Sequence, residues 1–171
     1  MQKRQINIQY FETPFGELIL GDFENRLCLC DWRYRKTRNV IDLRIKTGLT
    51  ADYAEQNTPL ITTTIEQLEE YFSKKRTTFE IPILLIGTEF QKEVWTELMQ
   101  IPYSKTISYS ELSKRINNPK AVRAVASANG ANAISIIIPC HRVIGKNNQL
   151  TGYAGGIAAK EQLLKLENKY Q

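Results

Sequence analysis

The chain has 171 residues, of which 42% are hydrophobic and 24% charged, and it carries a net charge of +5. Such values describe an ordinary globular protein of one domain or of two small lobes sharing a core, and no apolar run approaches the roughly 20 residues of a membrane span. The opening Met1-Gln2-Lys3-Arg4-Gln5-Ile6-Asn7 lacks the apolar centre of a secretory leader, so a cytoplasmic protein with no membrane attachment is expected.

The charge is unevenly placed. Residues 1–86 hold 12 Lys/Arg and 12 Asp/Glu, whereas residues 87–171 hold 11 and 6, so the whole excess lies in the second half. A polyanionic partner fits that distribution, and so does a solvated basic face. Cys28, Cys30 and Cys140 do not form an even disulfide framework, and His141 is the single histidine. Reduced thiols and no metal site are expected.

In chain order, Ile6, Ile8 and Tyr10 alternate with polar residues, Thr13-Pro14-Phe15-Gly16 is a turn, and Leu18-Ile19-Leu20 forms a strand ending at Gly21-Asp22. Arg26 to Trp32 continues a meander, with Cys28 and Cys30 on one face and Leu27 and Leu29 on the other. Between Lys36 and Pro59 the sequence is polar and weakly periodic and reads only as containing a connection. Thr63-Thr64-Ile65-Glu66 has the capping-box pattern and precedes Ile65, Leu68 and Phe72 at helical spacing. Phe79 to Ile86 reads as an apolar strand. Gly87-Thr88 opens a helix with a second capping box, Thr88 and Gln91, and the apolar stripe Phe90, Val94 and Leu98. The change from strand-rich to helix-rich sequence places a boundary near Gly87, giving lobes 1–86 and 87–171.

Ser108-Tyr109-Ser110-Glu111 is a third capping box and opens a short helix through Leu112 and Ile116. Asn118 caps and Pro119 begins a second helix, Lys120 to Ala128, which stops at Asn129-Gly130. Two short helices joined by a tight turn are consistent with a helix-turn-helix but are common in helical proteins generally. The second of them sets Arg123 among Ala121, Ala124, Ala126, Ser127 and Ala128. Small side chains let a backbone approach a narrow groove, and they also suit tight helix packing. Ser135 to Ile138 reads as a buried strand or extended segment delivering Pro139-Cys140-His141-Arg142-Val143. A thiol beside imidazole and guanidinium is a candidate nucleophile, because the thiolate is the reactive form. The same dipeptide is also frequent as mere structure.

The segment Ile138-Pro139-Cys140-His141-Arg142-Val143-Ile144 resembles the active-site signature of the O6-alkylguanine-DNA alkyltransferase family. Further segments resemble the family in the same order: Phe90-Gln91 with Val94-Trp95, Ile107-Ser108-Tyr109, Pro119 to Val125, Ala128-Asn129-Gly130, Gly152 to Gly156, and Lys160 with Leu163-Leu164 and Glu167. The similarity is close over residues 87–169; over residues 1–86 it rests on length and strand pattern. It implies an α+β fold in which a small strand-rich, ribonuclease-H-like lobe packs on a mainly helical lobe bearing a winged helix-turn-helix.

The resemblance implies roles at each position. Cys140 is the acceptor of an alkyl group, His141 takes the thiol proton through a water, and Glu167 orients the imidazole. Asn132 ties the DNA-binding helices to the active-site loop, and Tyr109 binds the extruded guanine and offers a proton to the leaving group. Tyr153, Ala154, Asn129 and the Val143 carbonyl line the pocket. Arg123 enters the duplex from the minor groove, beside Lys120, Ala121, Ala124 and Ser127. The implied partner is double-stranded DNA carrying O6-alkylguanine, met by a monomer without a cofactor, and each molecule acts once because the product is a stable thioether. Ala133 stands where the family usually has proline, Ser104 where it has glycine, Ala126-Ser127 where it has Gly-Ala, and Ala154 where some members have serine. A damage-binding relative would lack Cys140, a Cys-His hydrolase would not need a basic helix-turn-helix, and a transcription factor would not need the Cys-His-Glu set.

Overall fold

A computed structural model describes residues 4–168, so Met1 to Lys3 of the segment read for a leader and Lys169, where the resemblance ends, lie outside it. The chain divides into two compact units between Gly87 and Thr88. No helix among the described residues is long and apolar enough to cross a membrane.

The first unit is a four-stranded sheet in the order β3-β2-β1-β4. Strands β1 (Arg4–Thr13), β2 (Gly16–Phe23) and β3 (Arg26–Trp32) form an antiparallel meander. β2 continues through Gly21 and Asp22 rather than ending there. A register irregularity between those two residues accommodates them, and the reversal comes at Glu24 and Asn25, both with positive φ. The polar stretch after Lys36 holds two elements that its weak periodicity concealed. Helix α1 (Arg38–Leu49) buries Ile41, Ile45 and Leu49, and β4 (Ala51–Glu55) pairs parallel with β1.

Helix α2 (Pro59–Phe72) starts earlier than its apolar spacing indicates. Thr58 is the N-cap, accepting from the Ile61 amide, and Pro59 takes the first turn, so Thr63 and Glu66 lie inside the helix. Its buried face is Leu60, Ile61, Thr64, Gln67, Leu68 and Tyr71, one position away from Ile65 and Phe72. Residues 79–86 run alongside β3 but make only one bridge, Leu27 with Ile83; the Leu27 amide donates to Pro82 O and the Leu84 amide to Leu27 O. Cys28 and Cys30 are buried, and burial pushes both thiols upward, Cys28 to about 12, which favours the unreactive protonated form.

The second unit is mainly helical. Helix α3 (Glu89–Leu98) begins with the full Thr88/Gln91 capping box and buries Val94, Trp95 and Leu98. Strand β5 (Ile107–Ser108) leads into α4 (Tyr109–Arg115), capped by Ser108 Oγ on the Glu111 amide; the Glu111 carboxylate instead accepts from Arg115. Helix α5 (Val122–Gly130) begins after Ala121, not at Pro119, because Asn118 to Ala121 form a turn in which the Ala121 amide donates to Asn118 O. Lys120 and Ala121 therefore precede the helix. Trp95 Nε1 donates to Ala128 O at 2.8 Å and fixes α5 on α3. A short 3-10 turn, Cys140–Arg142, runs into β6 (Val143–Ile144), which pairs parallel with β5. Helix α6 (Ile157–Glu167) follows Gly156, whose φ of +91° suits glycine.

Candidate active site

Cys140 stands at the end of a loop built from tight reversals rather than from a strand. Ile136 has φ of +73° and its neighbours close an i to i+2 bond, the Ile137 amide donating to Ser135 O at 2.8 Å. That is the rarer, strained γ-turn, here on a buried β-branched residue. Pro139, with φ −81° and ψ 62°, makes the relaxed inverse form, and the Cys140 amide donates to Ile138 O at 2.8 Å. An apolar run of this length reads equally well as a strand, yet the backbone turns twice within it.

Asn132 supports the loop from inside. Its Oδ1 accepts from the Ile134 amide at 2.9 Å and its Nδ2 donates to Ile138 O at 2.9 Å, with 1% of the residue exposed. Asn129, near the end of α5, donates to Cys140 O at 3.4 Å. The C-terminal end of α5 and the cysteine loop are thus joined through two buried amides. Ala133 is itself buried, filling the place where proline is usual.

The next two residues of the 3-10 turn converge on Glu167 at the end of α6. His141 Nε2 lies 2.8 Å from Glu167 Oε1. Arg142 forks onto the same carboxylate, Nη2 to Oε1 at 2.9 Å and Nε to Oε2 at 2.9 Å, and its Nη1 donates to Ile101 O at 2.7 Å. The Ser104 amide adds a longer contact to Oε2 at 3.4 Å, from a residue whose φ of +69° explains the usual glycine.

Burial pushes the imidazole of His141 below its usual range; Glu167 pulls it upward, while Arg142 and Lys160 push it down. Burial alone would raise Glu167, but the hydrogen bonds and charges of His141 and Arg142 outweigh it and hold the carboxyl at about 2. An ionised carboxylate beside an imidazole pulls it toward its charged form, and the guanidinium forked onto the same carboxylate opposes that pull. The ionised carboxylate can only accept, so Nε2 carries the proton and Nδ1 keeps its lone pair. Nδ1 is buried without a hydrogen-bond partner.

Tyr109 opens α4 with its hydroxyl 3.3 Å from Thr151 Oγ1, and its phenol is raised first by burial. The Tyr153 and His141 rings meet edge to face with centroids 6.5 Å apart, and Ala154 beside Tyr153 is half-buried. The Val143 carbonyl accepts from Lys160 Nζ at 2.6 Å, leaving one lone pair for another donor. On α5, Arg123, Ala124 and Ser127 are exposed and Lys120 is exposed just ahead of the helix, while Val125, Ala128 and Asn129 face inward; Ala121 is half-buried. The small residues therefore divide between packing, at Ala128, and an open surface, at Ala124 and Ser127.

Two residues of this cluster had no role assigned from the sequence. Arg142 stood out only as a neighbour of Cys140, and its partner lies 25 positions away. Lys160 is fully buried in α6, donating also to Thr151 O at 3.1 Å. A lysine on the apolar spacing of Leu163, Leu164 and Glu167 was the available signal.

Known proteins resemble both units. Residues 6–85 match the model of the 6-O-methylguanine DNA methyltransferase ribonuclease-like domain, and residues 89–169 match that family's DNA-binding domain. A methylated-DNA–protein-cysteine methyltransferase of Methanosarcina acetivorans is 43% identical over 157 residues, 92% of this chain and 95% of that protein. A constitutive one from Bacillus subtilis is 42% identical over 144 residues, 84% of each. The crystal structure of Mycobacterium tuberculosis OGT in complex with DNA superposes with a TM-score of 0.81 at 36% identity, covering 96% of this chain and 92% of that one. Matched along nearly its whole length in sequence and in fold, the chain belongs to the 6-O-methylguanine DNA methyltransferase family.

Proposed function

We infer that this protein repairs DNA by transferring a methyl or other alkyl group from O6 of guanine, and also from O4 of thymine, to Cys140 in a single turnover. The observation that carries the reading is the buried Glu167–His141 pair next in the chain to buried Cys140, in which the carboxylate fixes the imidazole through Nε2 and leaves Nδ1 as a lone-pair acceptor. The thiol proton passes through a water to His141. The sulfur then attacks the alkyl carbon, the C–S bond forms as the C–O bond breaks, and the electron pair stays on O6. Tyr109 supplies the proton that leaves guanine neutral. Nothing returns the thioether to thiol.

An alkyl carbon on O6 is sealed within the base stack, so the nucleotide must rotate out before sulfur can reach it. The exposed face of Lys120, Arg123, Ala124 and Ser127 suits approach from the minor groove, with small residues allowing contact and Arg123 filling the vacated space. Tyr153, Ala154, Asn129 and the free lone pair of the Val143 carbonyl receive the base. The protein acts as a monomer in the cytoplasm and has duplex DNA bearing the alkylated base as its substrate.

The test is an intact mass measurement after incubation with an oligonucleotide containing O6-methylguanine. One added methyl group on the peptide bearing Cys140 is expected, and its absence refutes the reading. Cys140→Ser is expected to abolish transfer yet retain DNA binding, because a hydroxyl is far less acidic than a thiol. Loss of both would make Cys140 structural.

A further inference from the structure

We propose that Arg142 is a positioning residue for the transfer: forked onto Glu167 and anchored to the Ile101 carbonyl, it fixes the carboxylate that orients His141 and keeps the imidazole uncharged until the thiol gives up its proton. The proposal rests on Cys140 as the acceptor.

The geometry gives Arg142 a fixed place in the site. Three of its nitrogens are committed, two to Glu167 at 2.9 Å each and one to Ile101 O at 2.7 Å, and its guanidinium stands 5.7 Å from the Tyr103 ring centroid. It joins the 3-10 turn of the nucleophile to the end of α6 and to the segment after α3. Glu167 Oε1 is shared, receiving both His141 and Arg142. A buried carboxylate facing an imidazole alone would favour the imidazolium, which has no lone pair with which to take the thiol proton. A permanent cation on the same oxygen removes that preference without itself giving up a proton. Among the described residues, the groups acting on His141 are Glu167 and Lys160 from α6, Arg142 on its own turn, and the Tyr153 ring from the preceding loop. Of these two cations, Lys160 is bound to Val143 O and Thr151 O, whereas Arg142 is bound to the carboxylate itself.

His141 is the single histidine in the chain, so its imidazole resonances can be followed without ambiguity by NMR in the intact protein. The experiment titrates wild type, Arg142→Gln and Arg142→Lys, and measures single-turnover transfer from an O6-methylguanine oligonucleotide at each pH. In Arg142→Gln the imidazole is expected to titrate about one pH unit or more higher, with the acid limb of the rate profile moving by the same amount and most of the rate recovered above it. Arg142→Lys keeps the charge but cannot span both carboxylate oxygens and the Ile101 carbonyl, and should lie between the two. An equal fractional loss at every pH with an unmoved titration, or no change in either, overturns the proposal. If Arg142→Gln does not fold, Arg142→Lys decides alone: an imidazole that titrates with wild type is the overturning result. Failure of the underlying reading looks different, since wild type itself would then take up no methyl group while the His141 titration still judges Arg142.

Discussion

Replacing Glu167 by glutamine removes a charge and almost no volume, which makes it the most direct measure of how much the buried cluster contributes to stability. The residue is 1% exposed, and its carboxyl is held at about 2 against an ordinary 4.5. That difference corresponds to roughly 3 kcal/mol of folding free energy. Because the folded value is depressed, the contribution is complete above pH 4.5 and is lost as pH falls through 2. Glutamine lacks it at every pH and leaves Arg142 buried without its counter-charge, a defect that costs about 3–5 kcal/mol in comparable pairs. Glu167→Gln should therefore be about 3 kcal/mol less stable at pH 7, in addition to slowing transfer, and the gap should close as pH falls from 4.5 toward 2. Denaturant unfolding followed by Trp95 fluorescence, in a Trp32→Phe background, isolates the second unit. A gap below about 1 kcal/mol at pH 7 would place the pair with surface salt bridges, and a gap constant from neutral to acid pH would show that the carboxylate charge is not its source.

Arg123→Ala should impair repair of alkylguanine within a duplex while leaving reaction with the free base near normal, and a mismatch opposite the lesion should restore part of the rate. A uniform loss of affinity with a salt slope reduced by roughly one would instead mark a phosphate contact, and equal losses on free base and duplex would indicate damage to the fold. Ser104→Gly removes a left-handed serine, a strain of about 1–2 kcal/mol, and part of the gain is offset by the greater chain freedom of glycine. A net stabilisation of about 0.5–1 kcal/mol is expected in thermal unfolding of the second unit; a lower melting temperature would contradict it.

The elements readable in the sequence were those with strong local chemistry. The meander announced itself by alternation, and α3 and α4 by Thr88 and Ser108 ahead of their apolar spacing. Helix α1 was concealed because its buried residues, Ile41, Ile45 and Leu49, form one thin line while Val40 and Leu43 are exposed and blur it. Pro119 pointed to a helix start three residues early because a proline serves equally well in a turn. In the site, Cys140 and His141 were visible as neighbours, but Glu167 lies 26 positions from His141 and no spacing rule links them. Only the family resemblance joined them. Arg142 was in plain view and still unread, since its importance depends on what α6 brings to it.

The double reversal before Cys140 also bears on the kind of chemistry the nucleophile can perform. A cysteine that attacks a carbonyl needs amides aimed outward to hold the oxyanion it creates, and the amide of the nucleophile itself is commonly one of them. Here the Cys140 amide is spent on Ile138 O, that of Arg142 on Pro139 O and that of Val143 on Cys140 O. These three amides are turned inward. Attack on a saturated alkyl carbon leaves the new charge on the departing O6, on the far side of that carbon from the sulfur, so this loop can spend these three amides inward to hold its nucleophile.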